Sequence, residues 1–244
     1  MTQLTKQVVN SLESLKSAFL QNELAYLALT QKVEHAFRDK LAFELHNRLK
    51  GDKESLVCRE WCRTDLAVIR DSQPLLLLEA KAIYTFDIMK GGSQHPFPSQ
   101  LQEDIEKSKV WQSDGKNSSL EILALLIATH PHDPPSAAYR EAVKYYGGVV
   151  KYATEGITLE AASEQVHQRV QLPLVHQGVV AGGQAFGIDV SVAYWLFWPL
   201  VVSCGNQRRQ SVVVVAPCGH VGKSQSGLST CPCGLVVHEL EAVS

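Results

Sequence analysis

Asp65, Glu79 and Lys81 are the residues of this chain whose types and spacing could do chemistry together. Two apolar runs, Thr64-Asp65-Leu66-Ala67-Val68-Ile69 and Leu75-Leu76-Leu77-Leu78-Glu79-Ala80-Lys81-Ala82, flank the polar, proline-ended turn Arg70-Asp71-Ser72-Gln73-Pro74. An antiparallel hairpin centred on that turn sets Ile69 opposite Leu75, Ala67 opposite Leu77 and Asp65 opposite Glu79. Side chains alternate faces along a strand, so Asp65, Glu79 and Lys81 are expected on one face. Two carboxylates directly across a sheet repel. A hard dication between them would remove that penalty, and magnesium accepts such oxygen ligands. The spacing therefore predicts a carboxylate metal site with a lysine beside it.

Asp65, a short gap, then Glu79-Ala80-Lys81 at the end of an apolar strand resembles the PD-(D/E)xK nuclease superfamily, with Thr64 standing where the family name has proline. The resemblance covers residues 30–150 in outline. It implies an α/β fold with a restriction-endonuclease-like core, a mixed central sheet flanked by helices. It also implies metal-dependent hydrolysis of phosphodiester bonds, in DNA first and RNA second. Asp65, Glu79 and the Ala80 carbonyl would hold Mg2+ or Mn2+. Lys81, pushed toward its neutral form by the cation, would position or deprotonate the attacking water or brace the transition state. A first-helix glutamate often completes such a site; Glu34, in Glu34-xxx-Arg38-xx-Leu41, is the first choice and Glu44 the second. For either, a solvated carboxylate on a helix flank is the plain alternative.

The elements that must position these residues follow from periodicity. Leu4, Val8, Leu12, Leu15, Phe19 and Leu27 recur at helical spacing, which predicts an N-terminal packing helix over residues 1–30 that could serve a homodimer. Val33, Phe37, Leu41, Leu45 and Leu49 stripe a second helix over residues 31–50, ended by Gly51. A first strand is expected within residues 52–62, best over Val57–Trp61, with Cys58 and Cys62 as small buried hydrophobes. A helix over Gln100–Trp111 carries Asp104-Ile105-Glu106-Lys107. The run Leu120–Ala128, apolar except for Glu121, suits a buried central strand, and a helix over Ser136–Val150 would cover the sheet. His130 and His132 read as loop histidines. The nuclease-like core is thus assigned to residues 31–157.

Residues 158–244 read as a β-rich extension: a helix (Thr158–Val170), a Gly-rich segment, and a hairpin of Val190–Val202 with Ser211–Val215. Tyr194, Trp195, Phe197 and Trp198 are packing residues first and base-stacking residues second. In the tail, Cys218, His220, Cys231 and Cys233 could form a structural zinc site, although Cys-x-His and Cys-x-Cys are cramped spacings; unligated cysteines at strand ends are the alternative.

Hydrophobic residues make up 45% of the 244 and charged residues 20%, enough for a sizeable core. A net charge of −2 excludes a broad basic coat, so any nucleic-acid surface must be a local strip. The longest apolar run, Val190–Val202, is too short to span a bilayer and contains Pro199, and Met1–Leu20 is not a secretory signal. These features predict a cytoplasmic protein without membrane contact. Besides the nuclease, two functions remain open: a non-catalytic protein-assembly module on the same core, and a nucleic-acid-binding protein with a zinc-stabilised tail.

Overall fold

A computed structural model describes residues 1–52, 54–90, 96–113, 119–153 and 155–198, together with two short strands, Ser229–Thr230 and Val236–Val237. The chain divides into two compact units, Met1–Val201 and Val202–Ser244. In the second unit the two short strands pair antiparallel. Cys218, His220, Cys231, Cys233 and Ser211–Val215 lie outside the described residues.

The first unit begins with α1 (Gln3–Ser14), a 3-10 turn (Leu15–Ser17) and α2 (Glu23–Thr30). The N-terminal element is broken in two. Asn22 takes a left-handed backbone (φ 63°), and its side chain accepts the Gln184 N–H at 2.9 Å. Val8, Leu12 and Leu15 are fully buried inside this one protomer, so the stripe read as a dimer contact is spent on the chain's own core. Next comes α3 (Val33–Leu49), which buries Val33, Phe37, Leu41 and Leu45 as the helical stripe requires.

Three strands follow as an antiparallel meander: β1 (Ser55–Trp61), β2 (Thr64–Arg70) and β3 (Gln73–Tyr84). The hairpin register matches the sequence reading in mid-strand, with Ala67 opposite Leu77. A bulge between Val68 and Ile69 sets Ile69 opposite Pro74 instead of Leu75. A short helix α4 (Thr85–Met89) and α5 (Phe97–Ser113) lead to β4 (Glu121–Pro131), which runs parallel to β3 and is buried along its whole length. Parallel pairing needs a crossover, and the helices supply it.

Past β4, the expected long helix is replaced by a 3-10 turn (Ala137–Tyr139) and the shorter α6 (Tyr146–Ala153). Gly147 and Gly148 stand in its first turn, where glycine's backbone entropy disfavours helix. Then come α7 (Leu159–Arg169), β5 (Leu174–Ala185) and β6 (Ile188–Phe197). The six strands form one mixed, mostly antiparallel sheet in the order β1-β2-β3-β4-β6-β5.

Here the hairpin expectation needs correction. β6 has β4 on one edge and β5 on the other, so Val190–Phe197 has no edge left for Ser211–Val215. The Gly-rich segment is itself a strand. Gly178 permits it: a Cβ there would stand 2.4 Å from the Tyr194 hydroxyl. Residues 174–197, read as part of an extension, supply two strands of the central sheet. Tyr194, Trp195 and Phe197 are buried packing residues.

The sheet has a core on each face. One, under α1, α2 and α3, includes Phe37, Leu41, Leu78, Leu125 and Tyr194. The other, under α5 and α7, includes Leu77, Phe97, Ile105, Ile122, Leu126 and Trp195. Among the described residues no helix is long and apolar enough to cross a membrane.

Candidate active site

The paired part of β2 and β3 ends at Leu66 opposite Leu78, whereas β3 continues beside β4 as far as Tyr84. The β2-side edge of β3 is therefore without a strand partner just where Glu79-Ala80-Lys81 begins. Two carboxylates take over that edge. Asp65 Oδ2 accepts the Ala80 N–H at 2.8 Å, and Glu34 Oε2 accepts the Ala82 N–H at 2.9 Å. Residues two apart in a strand point their N–H groups to the same edge, so both acceptors serve one continuous need. Glu34, the first choice on that helix, thus reaches the open edge of β3.

Asp65 Oδ1 meets Arg38 of α3 at 3.3 Å. Arg38 is buried and also forms ion pairs with Asp39 and Glu60, each at 3.2 Å. A buried guanidinium needs such partners, because it cannot discharge itself by losing a proton.

Glu79 and Lys81 project toward α5, while Asp65 lies at the open strand edge between them and Arg38 of α3. Glu79 Oε1 accepts the Ser108 hydroxyl at 2.7 Å, and Lys81 Nζ lies 3.3 Å from Asp104 Oδ2. Asp104 also takes Lys107 at 2.7 Å. The Glu79 residue is 8% exposed, and its carboxyl is raised from 4.5 to about 7. Burial is the largest cause, and the negative charges of Asp65 and Asp104 push the same way; the hydrogen bonds from Ser108 and the Asp65 backbone only partly offset them. The repulsion expected between Asp65 and Glu79 is thus present, with Asp104 as a third contributor.

Sequence reasoning left Asp104, Ser108 and Arg38 out of the site. Asp104 sits three residues before Lys107 on a charged helix face, which reads as ordinary solvation, and Ser108 has no local signature at all. Among the described residues, no three His, Cys, Asp or Glu side chains are grouped as metal ligands. Asp65 and Glu79 form a pair, and Glu34 is engaged one strand step further along.

Two cavities adjoin Lys81 and Glu79. The smaller, about 360 Å³, is lined by Cys62, Thr64, Glu79, Asp104 and Ser108 among others. The larger, about 620 Å³, opens beyond the end of β3 between Lys32, Lys81, Lys90, Gln100 and Tyr145. No family model, curated protein or solved structure matches this chain.

The remaining candidates sort by position. His130 is a strand residue, not a loop one: it is buried, its Nδ1 lies 3.0 Å from the Thr85 hydroxyl, and burial lowers its pKa to about 4. His132 Nε2 lies 2.9 Å from the Ser191 hydroxyl. Cys58 is half-buried and Cys62 exposed, so neither is the buried hydrophobe expected. Cys62 belongs to a turn whose backbone runs left-handed at Glu60, Cys62 and Arg63, and a turn of that kind faces solvent.

Proposed function

We propose that this chain is a metal-dependent phosphodiesterase acting on nucleic acid, DNA before RNA, on a restriction-endonuclease-like core. The observation that carries the reading is the pair Asp65 and Glu79, on adjacent strands, with Lys81 two residues on and a lysine-lined cleft next to it. The order of elements supports it: helix, three-strand meander, crossover helix and a parallel fourth strand. That support is analogy of fold, and the side chains decide the chemistry.

The donor set fits magnesium or manganese. Magnesium is commonly bound through one or two carboxylates plus water and substrate phosphate, without an all-protein cage. Each carboxylate has about four lone-pair sites, so Asp65 keeps acceptor capacity after serving Ala80 and Arg38. Asp65, Glu79 and the Ala80 carbonyl would hold the cation. When bound, it would acidify a water molecule and offset charge on the phosphorus oxygens.

This chain's own groups do the rest. Glu79, half protonated near pH 7, must give up its proton before it can ligate, so activity rises with pH through about 7. Arg38 and the Ala80 N–H keep Asp65 in one orientation. Asp104 holds the Lys81 ammonium beside the cleft, from where it can donate to a phosphate oxygen or orient water. Lys32 and Lys90 offset phosphate charge.

One observation favours a second reading: Asp65 and Glu34 already satisfy the free edge of β3, a purely structural task. A non-catalytic binding module would need no more than that. Incubating plasmid, linear and single-stranded DNA with and without Mg2+, beside Lys81→Ala, separates the two. Mg2+-dependent cleavage lost in Lys81→Ala supports hydrolysis; intact DNA in every lane ends it.

A further inference from the structure

The larger cleft carries three lysines, Lys32, Lys81 and Lys90, against one carboxylate, Asp87. Asp87 is bound to Lys90 at 2.7 Å, and Lys81 to Asp104. Lys32, at the start of α3, is exposed and has no ion pair among the described residues. The lining of this cleft thus carries more positive than negative side chains.

One wall of the cleft is aromatic. Tyr84 stacks on Phe86 with centroids 4.8 Å apart, Phe86 stacks on Tyr152 at 5.1 Å, and Tyr145 meets Tyr84 edge-on at 5.7 Å. Lys90 lies over both Phe86 and Tyr152. Tyr84 and Phe86 are buried and hold the ladder in place. Tyr145 ends it and leaves 52% of itself exposed. Its backbone is pinned in the left-handed region (φ 58°) between the Lys144 N–H, bound to the Leu29 carbonyl at 2.6 Å, and the first turn of α6. Gly147 leaves open space beside it. The Lys144 ammonium lies 5.3 Å over the Tyr145 ring, and this half-exposed ring is offered to the cleft with lysines within the same cavity.

Stacking on aromatic side chains is how proteins hold unpaired bases, because every base has a π-face. In a duplex those faces are covered by the neighbouring pairs. A cavity of about 620 Å³ also falls within the roughly 300–1,000 Å³ range of sites for small ligands, which suits a nucleotide or two. We infer that the cleft takes an unpaired nucleic-acid strand, with one base stacked on Tyr145 and the flanking phosphates on Lys32 and Lys90. The next phosphodiester is then presented to Lys81. Only that last step rests on the hydrolytic reading; stacking and phosphate contact do not need it.

The test is fluorescence anisotropy with the full chain in EDTA, using labelled dT12 and a blunt hairpin duplex of equal length. The strand should bind at least tenfold more tightly than the duplex. Tyr145→Ala should lose about tenfold for dT12 with the duplex unchanged, and Tyr145→Phe should retain binding. Lys32→Ala should lower the salt slope for dT12 by about 0.7. Circular dichroism and melting of each variant establish that it is folded. Equal binding of strand and duplex, absence of binding to either, or a Tyr145→Ala protein that binds dT12 normally would overturn the inference. A strand that is bound in this way yet stays intact in Mg2+ would sink the hydrolytic reading alone.

Discussion

Glu79 gives a quantitative handle on the site without any assay of activity. Its carboxyl is raised from 4.5 to about 7. The folded protein therefore holds this proton more tightly than the unfolded chain does, so the stabilisation is full below about 4.5 and is lost as pH rises through about 7. At about 1.4 kcal/mol per tenfold in proton affinity, the ionised carboxylate costs the fold at most about 3.5 kcal/mol at pH 8. Glu79→Gln replaces it with a neutral group of the same shape that can still accept the Ser108 hydroxyl. The variant should match the natural protein at pH 4.5 and exceed it progressively up to about pH 7.5. For a chain of this size that is a melting temperature higher by up to roughly 7–14 °C. Thermal and urea melts in EDTA from pH 4.5 to 8.5 measure it, taken as the difference between the two proteins so that other titrating groups cancel. Adding Mn2+ at pH 8 should stabilise the natural protein and much less the variant, because the cation takes the place of the proton. A difference between the two proteins that stays flat across this pH range would refute the electrostatic account of the site. Stabilisation by Mn2+ that is equal in both proteins would remove Glu79 as a ligand.

His130 should tilt the profile the other way. Its pKa is lowered from 6.5 to about 4, so its contribution is full above about 6.5 and is lost as pH falls toward 4; His130→Asn should flatten the acid limb, and an unchanged acid limb in denaturant titrations would reject it. Arg38→Met strips the counter-charge from Asp65, Asp39 and Glu60 and should cost about 3 kcal/mol, read from the urea midpoint, with Arg38→Lys recovering part. Gly183→Ala adds a Cβ 2.4 Å from Asn22 Oδ1 at a φ of +81°, and should lower stability by about 2 kcal/mol or more in the same measurement. Asp65→Asn and Lys81→Ala should both abolish Mg2+-dependent cleavage while keeping the far-ultraviolet circular dichroism; cleavage retained by either would remove the mechanism.

Sequence alone determined the elements whose pattern is local. The stripe Val33, Phe37, Leu41, Leu45 marks α3 because helical side chains repeat every 3.6 residues. Ile122–Ala128 marks a strand buried on both faces, since nothing polar interrupts it, whereas the burial of Glu121 before it depends on the distant Thr2 and Thr5 hydroxyls that donate to its carboxylate. Counting across the Arg70–Pro74 turn places Ala67 opposite Leu77 as found, although the bulge between Val68 and Ile69 shifts the pairs nearest the turn by one residue and pairing ends at Leu66 opposite Leu78. Tertiary structure decided what depends on residues far apart. β6 pairs with β4 some sixty residues away, and no local pattern distinguishes an edge hairpin from a strand inserted beside the centre. The left-handed Asn22 splits an N-terminal stripe that reads as continuous. Arg38, Asp104 and Ser108 join the site only through packing of α3 and α5 on opposite faces of the sheet. The raised pKa of Glu79 has the same origin. Burial and two neighbouring carboxylates cause it, and both are properties of how the chain closes on itself rather than of the three letters Glu-Ala-Lys.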